Sequence, residues 1–141
     1  MVPAGYHREM TIPPDRPKLH VRLVWGSSIV VGPGKADLLT AIAETGSITA
    51  AGRAMGMSYK RAWYLLDTMN RCFREPLIHA TKGGKGFGGA RLTPMGKQVL
   101  DLYRAIEKQA AAGAAAELAS LAELVVETPP EPGSRKARVE L

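Results

Sequence analysis

Cysteine is almost absent from this chain: Cys72 is the single cysteine among 141 residues. One thiol excludes an internal disulfide and a metal site built from several cysteines. No apolar run approaches the ~20 residues that span a bilayer, and the N-terminus lacks the basic flank and apolar stretch of a signal peptide. Hydrophobic residues make up 45% of the chain, enough for one core of ordinary size. We therefore expect a single cytoplasmic domain with tails.

Groups that would support catalysis are also scarce. The three histidines, His7, His20 and His79, are far apart in the chain, and none lies at metal-ligand spacing from a cysteine or carboxylate. No serine or cysteine nucleophile motif is present, and Cys72 falls on a stripe that we expect to be buried. The sequence predicts neither an enzyme nor a metal or cofactor site.

Positive charge is in excess, and it is concentrated in one segment. The net charge is +6; residues 46–92 contain eight basic and two acidic side chains, whereas the basic and acidic residues elsewhere cancel. Neutralisation of phosphates supplies most of the non-specific affinity of proteins for nucleic acid. Double-stranded DNA is therefore the expected partner, although a basic surface also suits anionic lipid.

A β-hairpin is predicted near the N-terminus. Residues 1–17 hold four of the ten prolines and no hydrophobic period, which predicts a flexible leader. Apolar and polar residues then alternate from Lys18 to Trp25, which predicts a strand with one buried face. The apolar positions of this strand are Leu19, Val21, Leu23 and Trp25. Turn residues 26–28 lead into a second strand at residues 29–31, which closes the hairpin.

Three helices should follow. Residues 36–44 have helical apolar spacing, and Gly46 suits the left-handed position that ends a helix. Ser47 and Ser58 are the predicted N-caps of the second and third helices, with Gly52 at a close helix contact and Gly56 in the turn between them. We expect the third helix to end near residue 73. Its predicted inward residues are Ala62, Trp63, Leu66, Met69, Cys72 and Phe73.

A glycine-rich loop follows these helices and predicts the wing of a winged helix-turn-helix. Short strands at residues 77–79 and 90–92 bracket residues 81–89, which contain five glycines and two lysines. Gly84, Gly86 and Gly89 formally match a G-x-G-x-x-G pattern. A dinucleotide fingerprint needs a following helix and an acidic residue within a βαβ unit, and here another strand follows instead. Phe87 at the loop tip suits either a sugar contact or packing against a neighbouring chain.

The C-terminal part predicts one long helix. Thr93 and Pro94 form an N-cap and N1 pair, and apolar positions continue to Val125. At 1.5 Å per residue such a helix extends ~45 Å, farther than a small domain covers, so part of its stripe should meet a partner chain. Gly113 and the surrounding alanines are its weak middle. We expect the domain to span 18–125 and residues 126–141 to form a disordered tail.

The expected DNA contacts come from the start of the third helix and from the wing. Base edges in the major groove are contacted by residues at the N-terminal end of a recognition helix. The candidates there are Tyr59, Lys60, Arg61 and Tyr64, whereas Ser58, Thr68 and Arg71 are better placed for phosphates. Lys82, Lys85 and Arg91 supply the charge of the wing. A solvated helix face is the simpler alternative for these residues.

Several motifs resemble one family in particular. The stretches GPGKADLLTAIAETGSITAAGRAMGMSYKRAW, LLDTMN and TKGGKGFGGARLTPMG resemble the DNA-binding half of ModE-type molybdate-responsive regulators, relatives of the LysR class, over about residues 17–106. SYKRAW and the glycine wing with its LTPMG are the most specific parts. The resemblance implies a homodimer joined by the hairpin region and the last helix, with residues 58–61 and the wing lysines facing DNA. It also implies control of molybdate uptake or molybdenum-enzyme genes.

Together these patterns predict a mainly α protein with a small β component: a winged helix-turn-helix with an N-terminal β-hairpin and a long C-terminal dimerisation helix. The predicted function is sequence-specific transcription regulation by a dimer that contacts two half-sites, without an effector domain of its own. The alternative is a protein-interaction module that heterodimerises with a full-length regulator. A direct molybdate-sensing role is not expected, because little sequence follows residue 106.

Overall fold

The computed structural model describes residues 17–81, 89–128, 130–131 and 133. It contains five helices and two antiparallel strand pairs in these ranges, in the order β1, β2, α1, α2, α3, β3, β4, α4, α5. The predicted leader up to residue 16, the wing lysines Lys82 and Lys85 with Phe87, and most of the predicted tail lie outside the described residues. The architecture is the predicted winged helix-turn-helix preceded by a hairpin.

The N-terminal hairpin is shorter than its alternation predicted. Strand β1 is Leu23–Trp25 and pairs antiparallel with β2, Ser28–Val31. Gly26 has a φ of +59°, the left-handed conformation that a tight turn requires of glycine. The pairing shifts between Leu23 and Val24, so the side-chain alternation does not continue along one face. The prediction of a buried face from residue 18 was therefore wrong: Trp25 is 68% exposed, and the hairpin buries Val30 and Val31 of its second strand instead.

The three helices of the helix-turn-helix lie where predicted, and each begins or ends with the expected chemistry. Helix α1 is Pro33–Thr45, α2 is Ile48–Ala54 and α3 is Tyr59–Cys72. Gly46 ends α1 with a φ of +69° and donates its backbone N–H to the Ile42 carbonyl. Ser47 and Ser58 cap α2 and α3, because each side-chain oxygen accepts a backbone N–H three residues later at 3.1 Å.

Close packing at Gly52 fixes how α2 meets α3. A Cβ atom at this position would lie 3.4 Å from both the Ala62 Cβ and the Met57 carbonyl oxygen, at the near limit of van der Waals contact. Gly56 makes the turn with a φ of +67°. Gly52 thus lies at a close contact between the helices and Gly56 forms the turn, as the sequence predicted.

The wing strands are anchored to the helices through backbone hydrogen bonds. Strand β3, Ile78–Thr81, pairs with β4, Gly89–Leu92, with His79 opposite Arg91. The Ala90 N–H donates to the Gly46 carbonyl at 2.9 Å and ties β4 to the end of α1. The base of the wing is thus part of the packed domain.

Two neighbouring groups of buried side chains hold the elements together. The larger group joins α1, α2, α3 and the wing base, and its largest fully buried members are Leu38, Leu39, Ile42, Leu66, Met69 and Leu77. The smaller group joins β2 to α4 through Val31 and Tyr103. Tyr103 also donates its hydroxyl to the Val21 carbonyl at 2.6 Å, and burial, followed by the nearby Glu107 carboxylate, raises its pKa.

The predicted single C-terminal helix is interrupted. Helix α4 is Pro94–Gly113, and α5, Ala115–Ala122, begins after Ala114 departs from helical geometry. A Cβ atom at Gly113 would meet no neighbouring atom within 4 Å, so no packing offsets the low helix propensity of glycine there. Helix α5 has no buried residue, and Val125 lies beyond its end with half of its surface exposed. The single helix predicted as far as Val125 is therefore divided in two at Ala114, beside the glycine that the sequence marked as its weak point.

Arg104 joins α4 to α1. Its Nη2 donates to Asp37 Oδ1 at 2.8 Å and to Thr40 Oγ1 at 3.1 Å, while Nη1 donates to Glu107 at 2.8 Å. A guanidinium that bonds several fixed partners constrains the two helices more than a single exposed ion pair would. This network sets the position of α4 on the domain.

Gly96 provides a direct test of the packing between α4 and the wing base. A Cβ atom at this position would overlap the Leu77 carbonyl, so one of the two backbone segments would have to shift to admit it. We expect Gly96→Ala to lower the free energy of unfolding by about 1–3 kcal/mol or more, as overpacked core substitutions do. Urea unfolding followed by circular dichroism measures this difference.

The matched control for Gly96→Ala is Gly113→Ala. Gly113 lies in the same helix, its φ is not in the left-handed region, and the space around it is open. Alanine should therefore leave stability unchanged or raise it by up to ~1 kcal/mol. Equal stability of the two variants would contradict the contact between Gly96 and Leu77.

Candidate nucleic-acid interface

Helix α3 presents the predicted base-contacting residues to solvent. Tyr59, Lys60, Arg61 and Tyr64 are all exposed, and they occupy the first two turns of the helix. The opposite side of α3 is buried through Ala62, Leu66 and Met69. The core therefore fixes which side of α3 faces outward, and the N-terminal cations lie on that side.

Ring contacts order the exposed side chains at the start of α3. The Tyr59 and Trp63 rings meet edge to face, with centroids 6.3 Å apart and planes at 76°. The Arg61 guanidinium lies 5.6 Å from the Tyr64 ring centroid, a cation–π arrangement. These contacts restrict the side chains before any partner binds, so less conformational entropy would be lost on binding.

Two residues predicted to face the core are instead exposed. Trp63 is 41% exposed, and the Cys72 thiol is exposed as well. At 100° per residue, the buried line of Ala62, Leu66 and Met69 occupies a narrow stripe, and residues 63 and 72 lie on its two flanks. The predicted inward set was too wide for one helix face.

The three predicted phosphate-contacting residues of this helix already have partners within the chain. The Ser58 hydroxyl oxygen accepts the Arg61 N–H, and the Thr68 hydroxyl donates to the Leu65 carbonyl at 2.8 Å. Arg71 is exposed and forms an ion pair with Asp67 at 3.1 Å, four residues earlier. Ser58 thus has a capping role, while most of the Arg71 donors face solvent.

The described basic side chains of residues 46–92 all lie on the surface. They are Arg53, Lys60, Arg61, Arg71, Arg74 and Arg91. Arg91 extends from β4, in the part of the wing that the structure describes. No charged or polar side chain is buried in the described ranges, so none of these cations is neutralised inside the domain.

Asn70 is a structural contributor that the sequence analysis did not identify. Its Oδ1 accepts the backbone N–H of Leu77 at 2.8 Å and that of Ile78 at 3.4 Å. These bonds connect the last turn of α3 to the start of β3. A polar residue close to the buried line of a helix, followed by a proline-containing turn, was the available signal.

Other kinds of site find no support in the described part of the chain. It contains no group of three or more histidine, cysteine or acidic residues that could hold a metal ion. Among its helices, none is both long enough and apolar enough to cross a membrane.

Comparison with known proteins finds similarity over the helix-turn-helix and the wing. Residues 35–97 match the family model described as bacterial regulatory helix-turn-helix protein, lysR family. This range runs from α1 through α2, α3 and the wing to the first turn of α4. Within residues 35–97 the chain is thus similar to LysR-type helix-turn-helix domains. The motif-based resemblance to LysR relatives is confirmed.

Individual relatives have names that refer to molybdenum or to transcription regulation. The molybdenum-pterin-binding protein MopB of Rhodobacter capsulatus is 47% identical over 77 residues, which are 55% of this chain and 28% of the relative. The molybdenum transport protein ModE of Azotobacter vinelandii is 44% identical over 70 residues, 50% of this chain and 26% of the relative. The DNA-binding transcriptional dual regulator ModE of Escherichia coli K12 is 41% identical over 71 residues, 50% of this chain and 27% of the relative. The chain thus covers less than a third of the length of these relatives.

Asn70 offers a test of the link between α3 and the wing of the LysR-type domain. Asn70→Ala removes the acceptor and leaves the N–H of the fully buried Leu77 without its partner. We expect the free energy of unfolding to fall by about 1–3 kcal/mol. Asn70→Asp keeps an acceptor oxygen at the same place, so it should keep most of the stability that Asn70→Ala loses. Thermal unfolding measures this difference. An equal fall in the midpoint temperature of both variants would argue against the hydrogen bonds as the cause.

Proposed function

We propose that this chain is a sequence-specific DNA-binding transcription regulator that inserts α3 into the major groove. The observation that carries the proposal is the exposed first half of α3, where Lys60 and Arg61 lie beside ordered aromatic rings. The buried opposite side and the capped N-terminus hold this surface on a rigid helix. Lysine and arginine donate to guanine O6 and N7, the commonest specific contact in the major groove.

The two adjacent cations are better accounted for by an anionic partner than by the fold. Lys60 and Arg61 repel each other and lie at the positive end of the helix dipole, and neither forms an ion pair among the described residues. Phosphates and guanine acceptors would offset this cost. Arg91 and, from the sequence, Lys82 and Lys85 of the wing would add further phosphate contacts.

The genes under control are proposed from the relatives. The ModE and MopB proteins named above have molybdenum transport, molybdenum-pterin binding or transcription regulation in their names. We propose that this chain controls molybdate-transport or molybdenum-enzyme genes. The family model describes regulatory proteins, which favours a regulator over an enzyme.

Charge reversal in α3 tests the DNA-binding role. We expect Lys60→Glu or Arg61→Glu to weaken binding to a selected operator at least tenfold, since each removes a base or phosphate contact of about 1–3 kcal/mol and adds repulsion. Lys108→Glu, an equal change of charge at an exposed site on α4, is the matched control. Gel shifts at one fixed salt concentration measure all three. If the α3 variants bind the operator as tightly as the control does, α3 is not the helix that contacts DNA.

We further propose that two copies of the chain associate through α4 and the hairpin. Leu102 and Ile106 are 57% and 39% exposed, and they are four residues apart on α4. The hairpin, which packs on α4 through the smaller buried group, also has exposed apolar residues: Val24, Trp25 and Ile29 are 51%, 68% and 41% exposed. Monomers rarely leave so many large apolar side chains in water, and a symmetric copy would cover them.

A paired substitution in α4 tests this association. The wild-type chain is expected to have twice its formula mass of 15.1 kDa in sedimentation experiments. Leu102→Glu combined with Ile106→Glu should produce the single-chain mass, because burying two carboxylates is costly. Lys108→Glu, on another face of α4, should remain paired. A wild-type chain that sediments as a monomer would contradict the homodimer and favour pairing with a different regulator.

A further inference from the structure

The exposed side of α3 carries one carboxylate among its cations. Lys60, Tyr64, Asp67 and Arg71 follow a single line, because steps of four, three and four residues return to nearly the same angle on a helix. All four are exposed. A helix that presents Lys60 and Tyr64 to the groove therefore presents Asp67 one turn further along.

The stability of the domain does not account for Asp67. Its side chain is 51% exposed, and that of its ion-pair partner Arg71 is 79% exposed. Exposed i,i+4 pairs contribute little to folding, because water competes for both charges. Near DNA a carboxylate is also repelled by phosphates, and a hydrogen-bond donor on the DNA would offset that repulsion.

The major groove contains such a donor. Cytosine presents its N4 amino group, and a carboxylate, which only accepts hydrogen bonds, is the side-chain group that pairs with it. Adenine also has an amino group, but its N7 acceptor lies beside it and repels a carboxylate. Arg71 Nη2, 3.1 Å from Asp67 Oδ2, can orient the carboxylate once the groove excludes water, and Arg71 keeps other N–H donors for a phosphate or a guanine.

We propose that Asp67 is a specificity-determining residue that selects cytosine at one position of each half-site, with Arg71 as its positioning residue. This inference rests on the proposed function. It assigns sequence selection to the third turn of α3 as well as to its N-terminus.

The test compares base preferences rather than affinity alone. An operator is first selected with the wild-type chain, and each base pair of one half-site is then replaced by the other three. The wild type should prefer cytosine at one position by about tenfold. Asp67→Ala should lose that preference and keep the others. Asp67→Asn should change it to adenine, since an amide pairs with adenine N6 and N7 together.

The control variant is Glu44→Gln, which removes a carboxylate from an exposed position on α1. It should keep the full wild-type preference. If Asp67→Ala binds all operators more tightly by one common factor, with unchanged base preferences, Asp67 is only a repulsive surface charge and the inference is wrong. If the wild-type chain selects no operator at all, the proposed function itself fails. The two failures are thus distinguishable.

Discussion

The backbone of Leu77 is the point on which the arrangement of this domain depends. The Leu77 side chain is fully buried, its N–H is bound by Asn70 of α3, and its carbonyl accepts the Thr93 N–H at the start of α4. Thr93 also donates its hydroxyl to the neighbouring Pro76 carbonyl at 2.6 Å, and Gly96 lies directly against Leu77. One short extended segment therefore fixes α3, the base of the wing and α4 relative to one another.

This constraint explains how a small domain can hold a charged surface without neutralising it. The apolar groups of α1, α2 and α3 bury one side of each helix, and hydrogen bonds to backbone atoms satisfy the helix ends and the wing base. No cation of α3 is needed to stabilise the core. The surface charges are consequently available for a polyanion. Their mutual repulsion lowers the stability of the fold, and packing of the interior offsets that loss.

Much of the fold could be predicted because its determinants are local. Ser47, Ser58 and Thr93 accept the N–H groups that a helix start leaves unpaired, and Gly46 and Gly56 adopt the left-handed conformations that their neighbours require. Such features depend on residues within one or two turns. The break after Gly113 was visible as a weakness in the sequence, but whether the helix continued depended on packing that is absent there.

Predictions about orientation failed where they depended on partners distant in the chain. Trp63 and Cys72 fit a broad apolar stripe, yet α3 buries only the width that α1 and α2 can cover. In the hairpin, Val30 and Val31 are the residues buried with Tyr103, and Trp25 is exposed. The same limit concealed Asn70, whose two donors come seven and eight residues later. The sequence by itself determined the order of the helices, their caps, the turns and the concentration of charge, since each follows from adjacent residues. Only the tertiary structure decided which side chains face outward and how α3 is joined to the wing, because burial and long-range hydrogen bonds are set by elements that meet in space.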